Sequence, residues 1–164
     1  MTFKDILTIT EERMNKNEYC TEVIFPYGKS GMIQKVIEIE IKRTFQDLYP
    51  NYEIEHPDDN SGLPDIYSYY YEKGLEIKCT KGWPTYKKGV KVTDDGDVKW
   101  TNGTIQRSDK KMPFLFIKFS IIDNKIQFKM AFFGNISYND WNIHSNKDMR
   151  ISIYKVKKLC KRII

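Results

Sequence analysis

The chain is poor in the residues that build disulfide or zinc scaffolds. Its 164 residues include three cysteines, Cys20, Cys79 and Cys160, an odd number set far apart, and only two histidines, His56 and His144. Odd, scattered thiols fit a reducing compartment better than a disulfide framework. With no paired cysteine spacing, a structural zinc site is excluded. Long apolar runs are lacking too: none approaches the roughly 18–20 residues that a spanning helix needs. The start, Met1-Thr2-Phe3-Lys4-Asp5, has neither the basic opening nor the apolar stretch of a secretory signal. These absences predict a cytoplasmic protein without a membrane anchor. What is present is 40% hydrophobic and 30% charged residues, enough for one domain with a real core.

Formal net charge is +5, which permits a nucleic-acid partner without demanding one. Its distribution is more informative. Residues 51–80 hold seven acids against two bases, a net −5. Residues 81–111 hold eight bases against four acids (+4), and residues 141–164 seven against one (+6). An acidic middle between basic segments suits an enzyme that holds a metal ion with carboxylates and a polyanion with Lys and Arg. Uneven use of lysine in a Lys-rich chain would give the same pattern.

Hydrophobic spacing predicts a helix from Thr2 to about Glu18 and a second from Ser30 or Gly31 to Tyr49, with Ile33, Ile37, Ile41, Thr44 and Leu48 along one stripe. Strands are expected at 52–55, 65–71 and 75–79, the last two as a hairpin turning at Glu72-Lys73-Gly74. A second hairpin is expected from Val90–Val92 and Val98–Trp100 about Asp95-Gly96. Phe114–Ile122 reads as a buried central strand, and Ile126–Phe133 as its antiparallel neighbour. Residues 150–159 are either strand or amphipathic helix. The expected fold is a single α/β (α+β) domain, with a central mixed sheet flanked by helices.

Chemistry concentrates in Leu63-Pro64-Asp65-Ile66 and Leu75-Glu76-Ile77-Lys78-Cys79. Glu76 and Lys78, two apart on a strand, leave by one face, while Leu75, Ile77 and Cys79 leave by the other. Asp65 opens the preceding strand, so its carboxylate comes near that of Glu76. Two carboxylates held together invite a cation, and Mg²⁺ bound by one or two carboxylates plus phosphate oxygens is the usual solution. The plainer alternative makes Asp65 a turn residue and Glu76 and Lys78 a solvated strand face.

Pro64-Asp65, ten intervening residues, then Glu76-Ile77-Lys78 resembles the PD-(D/E)XK nuclease superfamily, which includes type II restriction endonucleases, junction resolvases and repair nucleases. The resemblance implies a restriction-endonuclease-like core and Mg²⁺-dependent hydrolysis of DNA phosphodiesters, leaving 5′-phosphate and 3′-hydroxyl ends. It implies Asp65 and Glu76 as ligands of one or two Mg²⁺ ions, with Mn²⁺ able to substitute, and Lys78 positioning the attacking water. The family often adds an acid from the preceding helix. Glu40 lies within the apolar stripe and Glu38 toward its edge, so Glu40 is expected, with Glu38 and Asp58 as alternatives.

Between the motif and the central strand lies a polar, basic and aromatic insertion at about 81–111. Its Lys81, Trp83, Tyr86, Lys87, Lys88, Gln106 and Arg107 are candidates for contacting DNA. In length and in this insertion the chain looks like a small type II restriction endonuclease, which implies sequence-specific cutting of double-stranded DNA by a homodimer. A structure-selective nuclease such as a Holliday-junction resolvase, and a DNA-binding module without cleavage, are the alternatives. Tyr67, Tyr69 and Tyr71 share the face of Asp65 and are candidates for the wall of a substrate groove. His56 and His144 have no assigned role.

Overall fold

A computed structural model of the chain describes residues 2–16, 30–57, 61, 63–81, 85–87, 90–93, 97–100, 112–143 and 149–164. Helix α1, Phe3–Lys16, starts on a reciprocal cap. The Asp5 N–H donates to Thr2 Oγ1 (3.3 Å), and the Thr2 N–H donates back to Asp5 Oδ2 (2.7 Å). Helix α2, Ser30–Leu48, buries Ile33, Ile37, Ile41 and Thr44. Helical spacing of those apolar side chains outweighs the β-branched run within it, because burial along one stripe stabilises more than propensity costs.

Strands β1 (Ile54–Glu55), β2 (Ile66–Ser68), β3 (Lys73–Thr80), β7 (Met112–Ile122), β8 (Lys125–Ile136) and β11 (Lys161–Arg162) form a six-stranded mixed sheet in the order β1-β2-β3-β7-β8-β11. Every pairing in it is antiparallel except β3 with β7, which is parallel. The β7–β8 hairpin turns at Asp123-Asn124, both left-handed (φ 50° and 57°), as a two-residue turn matching strand twist requires. Strands β4 (Thr85–Lys87) and β5 (Val90–Thr93) pair with each other. Strands β6 (Asp97–Trp100), β9 (Asn142–Ile143) and β10 (Met149–Ser152) form a three-stranded sheet with β10 in the middle.

Two apolar cores cover the main sheet. One joins α1 and α2 to Leu75, Ile77, Leu115 and Ile117. The other joins Phe114, Phe116 and Phe132 to Val98, Trp141, Met149, Ile151 and helix α3 (Ile153–Leu159). Strand β3 is therefore buried on both faces, including Leu75, Glu76, Ile77 and Lys78. Helix α1 is also tied to β8 through polar groups. Asn15 exchanges hydrogen bonds with the Ile126 backbone (2.9 Å each way), and Glu11 accepts from the Phe128 N–H (2.5 Å).

Three expectations are corrected. Val90–Val92 and Val98–Trp100 do not pair: β5 joins β4, while β6 joins β10, where Val98 is buried with Met149 and Ile151. Local turn chemistry loses there to burial against a distant strand. Residues 150–159 are neither one strand nor one helix. Strand β10 gives way to α3 at Ser152, whose hydroxyl accepts from the Lys155 N–H (3.2 Å). The strand expected at 65–71 shrinks to Ile66–Ser68, with turn residues from Tyr69 to Glu72. Among the described residues no helix is long and apolar enough to cross a membrane.

Candidate active site

The pairing of β2 with β3 ends at Ile66 opposite Leu75. Beyond it, Glu76–Thr80 pair with β7 on the other side. Asp65 stands at this opening in place of a ladder residue: its Oδ2 accepts the Ile77 N–H (2.7 Å), as a backbone carbonyl would in a longer strand. The same oxygen lies 3.4 Å from Lys78 Nζ, and Lys78 Nζ lies 2.5 Å from Glu76 Oε1. One buried ammonium thus bridges the two carboxylates that the motif supplies.

Glycine at position 74 brings Pro64 and Asp65 to this place. A Cβ there would sit 2.6 Å from Pro64 Cγ and 2.8 Å from the Ile66 carbonyl oxygen. Gly74→Ala is expected to lower stability by roughly 1–3 kcal/mol, the cost of overpacking. It should also shift Asp65, because the residue pushed away is its chain neighbour. Urea denaturation checks the first effect, and the second would appear as weakened divalent-cation binding.

The helix contributes Glu38 and not Glu40. Glu38 is 3% exposed. It accepts from Gln34 Nε2 (2.9 Å), and its other oxygen lies 3.5 Å from Lys35 Nζ and 3.6 Å from His56 Nε2. Its carboxyl is pushed up to about 7, first by burial and then by the negative charge of Asp65; the Gln34 bond, Lys78 and Lys35 pull the other way. Glu40 instead pairs with Arg43 at 2.5 Å. The physical reason is that the centre of the α2 stripe meets the apolar underside of the sheet. The opening beside β3 lies along the helix flank that carries Glu38. Proximity to the stripe favoured the acid that the fold pairs with Arg43, not the one it sets near Asp65 and Lys78.

Burial also raises the Glu76 carboxyl, with Lys78 opposing that shift and Asp65 adding to it. For Lys78, burial disfavours the charge, but Asp65 and then Glu76 overcome it and hold the ammonium above the ordinary lysine range. Burial, with a further contribution from Glu38, lifts the Cys79 thiol well above its usual value, so it is an inert core group.

A divalent cation fits this donor set. Among the described residues no three His, Cys, Asp or Glu side chains stand close enough to hold a metal by themselves. Mg²⁺, however, needs only one or two carboxylates when phosphate and water complete its shell. Glu76 Oε2 is buried without a hydrogen-bond partner. In addition, Asp65 and Glu76 share one buried ammonium, that of Lys78, which leaves a net negative charge in a poorly solvated place. Asp65 and Glu76 are the residues that would hold the ion.

Of the expected DNA contacts, Lys81 is exposed directly after β3, and Tyr86 and Lys87 lie on β4. Trp83, Lys88, Gln106 and Arg107, the alternative acid Asp58, and His144 lie outside the described residues. Sequence reasoning missed the surround of Glu38. Gln34 at i−4 and Lys35 at i−3 could have been found from helical spacing, whereas His56 reaches Glu38 only through the fold. No family model, no curated protein and no solved structure matches the chain.

Proposed function

We propose that the protein is a Mg²⁺-dependent endonuclease that hydrolyses phosphodiester bonds in double-stranded DNA. The observation that carries this reading is the buried Asp65–Lys78–Glu76 cluster with Glu38 beside it, at the opening between β2 and β3. Ions on a strand covered on both faces are costly to keep unless they serve a purpose. The spacing of these residues is that of the PD-(D/E)XK resemblance.

A bound Mg²⁺ would supply charge stabilisation at the phosphoryl group and acidify a water. Asp65 and Glu76 would hold that ion; the Ile77 N–H fixes the first and Lys78 the second. Lys78, held cationic, acts through its charge: it steadies the attacking oxygen and the negative charge growing on the phosphate, and it does not serve as a base. Glu38, titrating near neutral pH, suits the uptake of the proton released by water. The exposed Lys81 and the basic insertion would contact backbone phosphates. A homodimer would match the two-fold symmetry of a palindromic target.

Digestion of a supercoiled plasmid tests the reading. Mg²⁺-dependent nicking or linearisation is expected from the wild type and none from Glu76→Gln with its fold retained. Discrete bands would mark sequence-specific cutting, and cleavage without discrete bands would mark structure-selective cutting. Absence of cleavage with both Mg²⁺ and Mn²⁺ would exclude it.

A further inference from the structure

A second feature adjoins the site. An open cleft of about 600 Å³ is lined by Glu53, Glu55, His56, Pro57 and Tyr69. It shares His56 with the active site, since His56 Nε2 is 3.6 Å from the Glu38 carboxylate. One wall rests on the β1–β2 pairing, in which Glu55 lies opposite Tyr67. Tyr67 lies on β2, the strand that begins directly after Asp65. The Tyr69 ring meets that of Tyr67 edge-on (centroids 5.1 Å apart, planes at 78°) and remains 52% exposed. A pair of touching tyrosine rings therefore borders the cleft, two and four residues after Asp65 in the chain.

The chemistry of the lining selects what would enter. Among the described residues it contains two carboxylates and neither lysine nor arginine, so a phosphate is disfavoured. A flat neutral ring with N–H donors on its edge suits it: the ring stacks on tyrosine, and its amino group donates to a carboxylate, as the cytosine N4 amine does to Glu or Asp. In an intact duplex the faces of a base are stacked and its pairing edge is occupied. A base presents both only when it is unpaired or turned out of the helix. We propose that this cleft receives an unpaired base of the DNA substrate beside the phosphate to be cut, so that the enzyme cuts paired duplexes but binds those carrying an unpaired nucleotide more tightly. This deepens the nuclease reading above and rests on it.

Oligonucleotide binding tests the proposal. A duplex containing one bulged 2-aminopurine is compared with the same sequence fully paired, both titrated with the full chain in EDTA to prevent cutting. The bulged form is expected to bind about tenfold more tightly, with a change in 2-aminopurine fluorescence. Tyr69→Ala should abolish both the preference and the signal, Tyr69→Trp should retain them, and the thermal midpoint of each should stay near that of the wild type because Tyr69 is a surface residue. Equal binding of the two duplexes by the wild type would overturn the inference. So would a preference that survives Tyr69→Ala, or an effect of that substitution on self-association alone. Plasmid cleavage by the wild type, absent in Glu76→Gln, separates the two levels. Cleavage without the preference removes only the base-binding cleft, whereas absence of both cleavage and DNA binding removes the nuclease reading with it.

Discussion

Replacing Lys78 by Met is expected to slow DNA cleavage strongly, to destabilise the metal-free protein and to tighten its binding of divalent cations. The three effects have one cause. Lys78 is the cation between Asp65 and Glu76, at 3.4 and 2.5 Å from their oxygens. Removing it leaves a buried carboxylate without a counter-charge, a change that typically costs about 3–5 kcal/mol. Proton uptake by Glu76, whose carboxyl burial already raises, reduces that cost. A divalent cation then replaces the missing charge, so Mg²⁺ should restore much of the lost stability by mass action. Loss of the ammonium from the reacting phosphate should slow cleavage by about 10²–10³-fold, as removal of one preorganised charge-stabilising group does elsewhere.

Glu76→Gln provides the contrast. It removes a negative charge from a site with an excess of them, and Lys78 keeps Asp65 and Glu38 as partners. The metal-free protein should stay within about 1 kcal/mol of the wild type, yet cleavage should be lost and Mg²⁺ should no longer stabilise the fold. Denaturant titrations with and without Mg²⁺ measure all of this. If Lys78→Met binds Mg²⁺ more weakly than the wild type, the ammonium is not the occupant of the cation position.

What the residues announced and what they concealed follow a physical division. Both helices, the β2–β3 hairpin and the β7–β8 pair rest on local periodicity and turn residues, and all were legible. So was the convergence of Asp65, Glu76 and Lys78, because alternation along a strand and the length of a turn fix it. The pairing of β6 with β10 was not legible, since Val98 meets Met149 and Ile151 about fifty residues on, and only burial selects that partner. The choice between Glu38 and Glu40 failed for a related reason. A helical wheel shows which side of α2 is apolar, but not where along its flank the sheet opens. Strand β2 was overestimated at both ends: Tyr69 to Tyr71 belong to the turn, and the carboxylate of Asp65 replaces a ladder carbonyl, neither of which a β-propensity pattern registers.

Glu38 should make the metal-free protein less stable as pH rises toward neutrality, against the usual behaviour of a paired carboxylate. Its folded-state value, about 7, lies above the ordinary glutamate value of 4.5 that holds in the unfolded chain. Between those values the folded state binds more protons than the unfolded one, so unfolding free energy falls as pH increases. The stabilising protonated state is fully present below about pH 4.5 and lost by pH 7. The interval corresponds to about 3 kcal/mol at roughly 1.36 kcal/mol per pH unit. Glu76, raised in the same direction, steepens the decline. Lys78 does not contribute there, since a raised lysine loses its stabilising charge only in alkaline solution. The difference between wild type and Glu38→Gln isolates this carboxyl from every other titrating group. Urea titrations at pH 5 and pH 8 should show Glu38→Gln gaining about 3 kcal/mol on the wild type between the two. Saturating Mg²⁺ should reduce that gain, because a bound cation favours the ionised carboxylate. A difference between the two proteins that stays constant with pH would mean that Glu38 is already ionised in the folded state, and its proposed role in accepting a proton near neutral pH would fall with it.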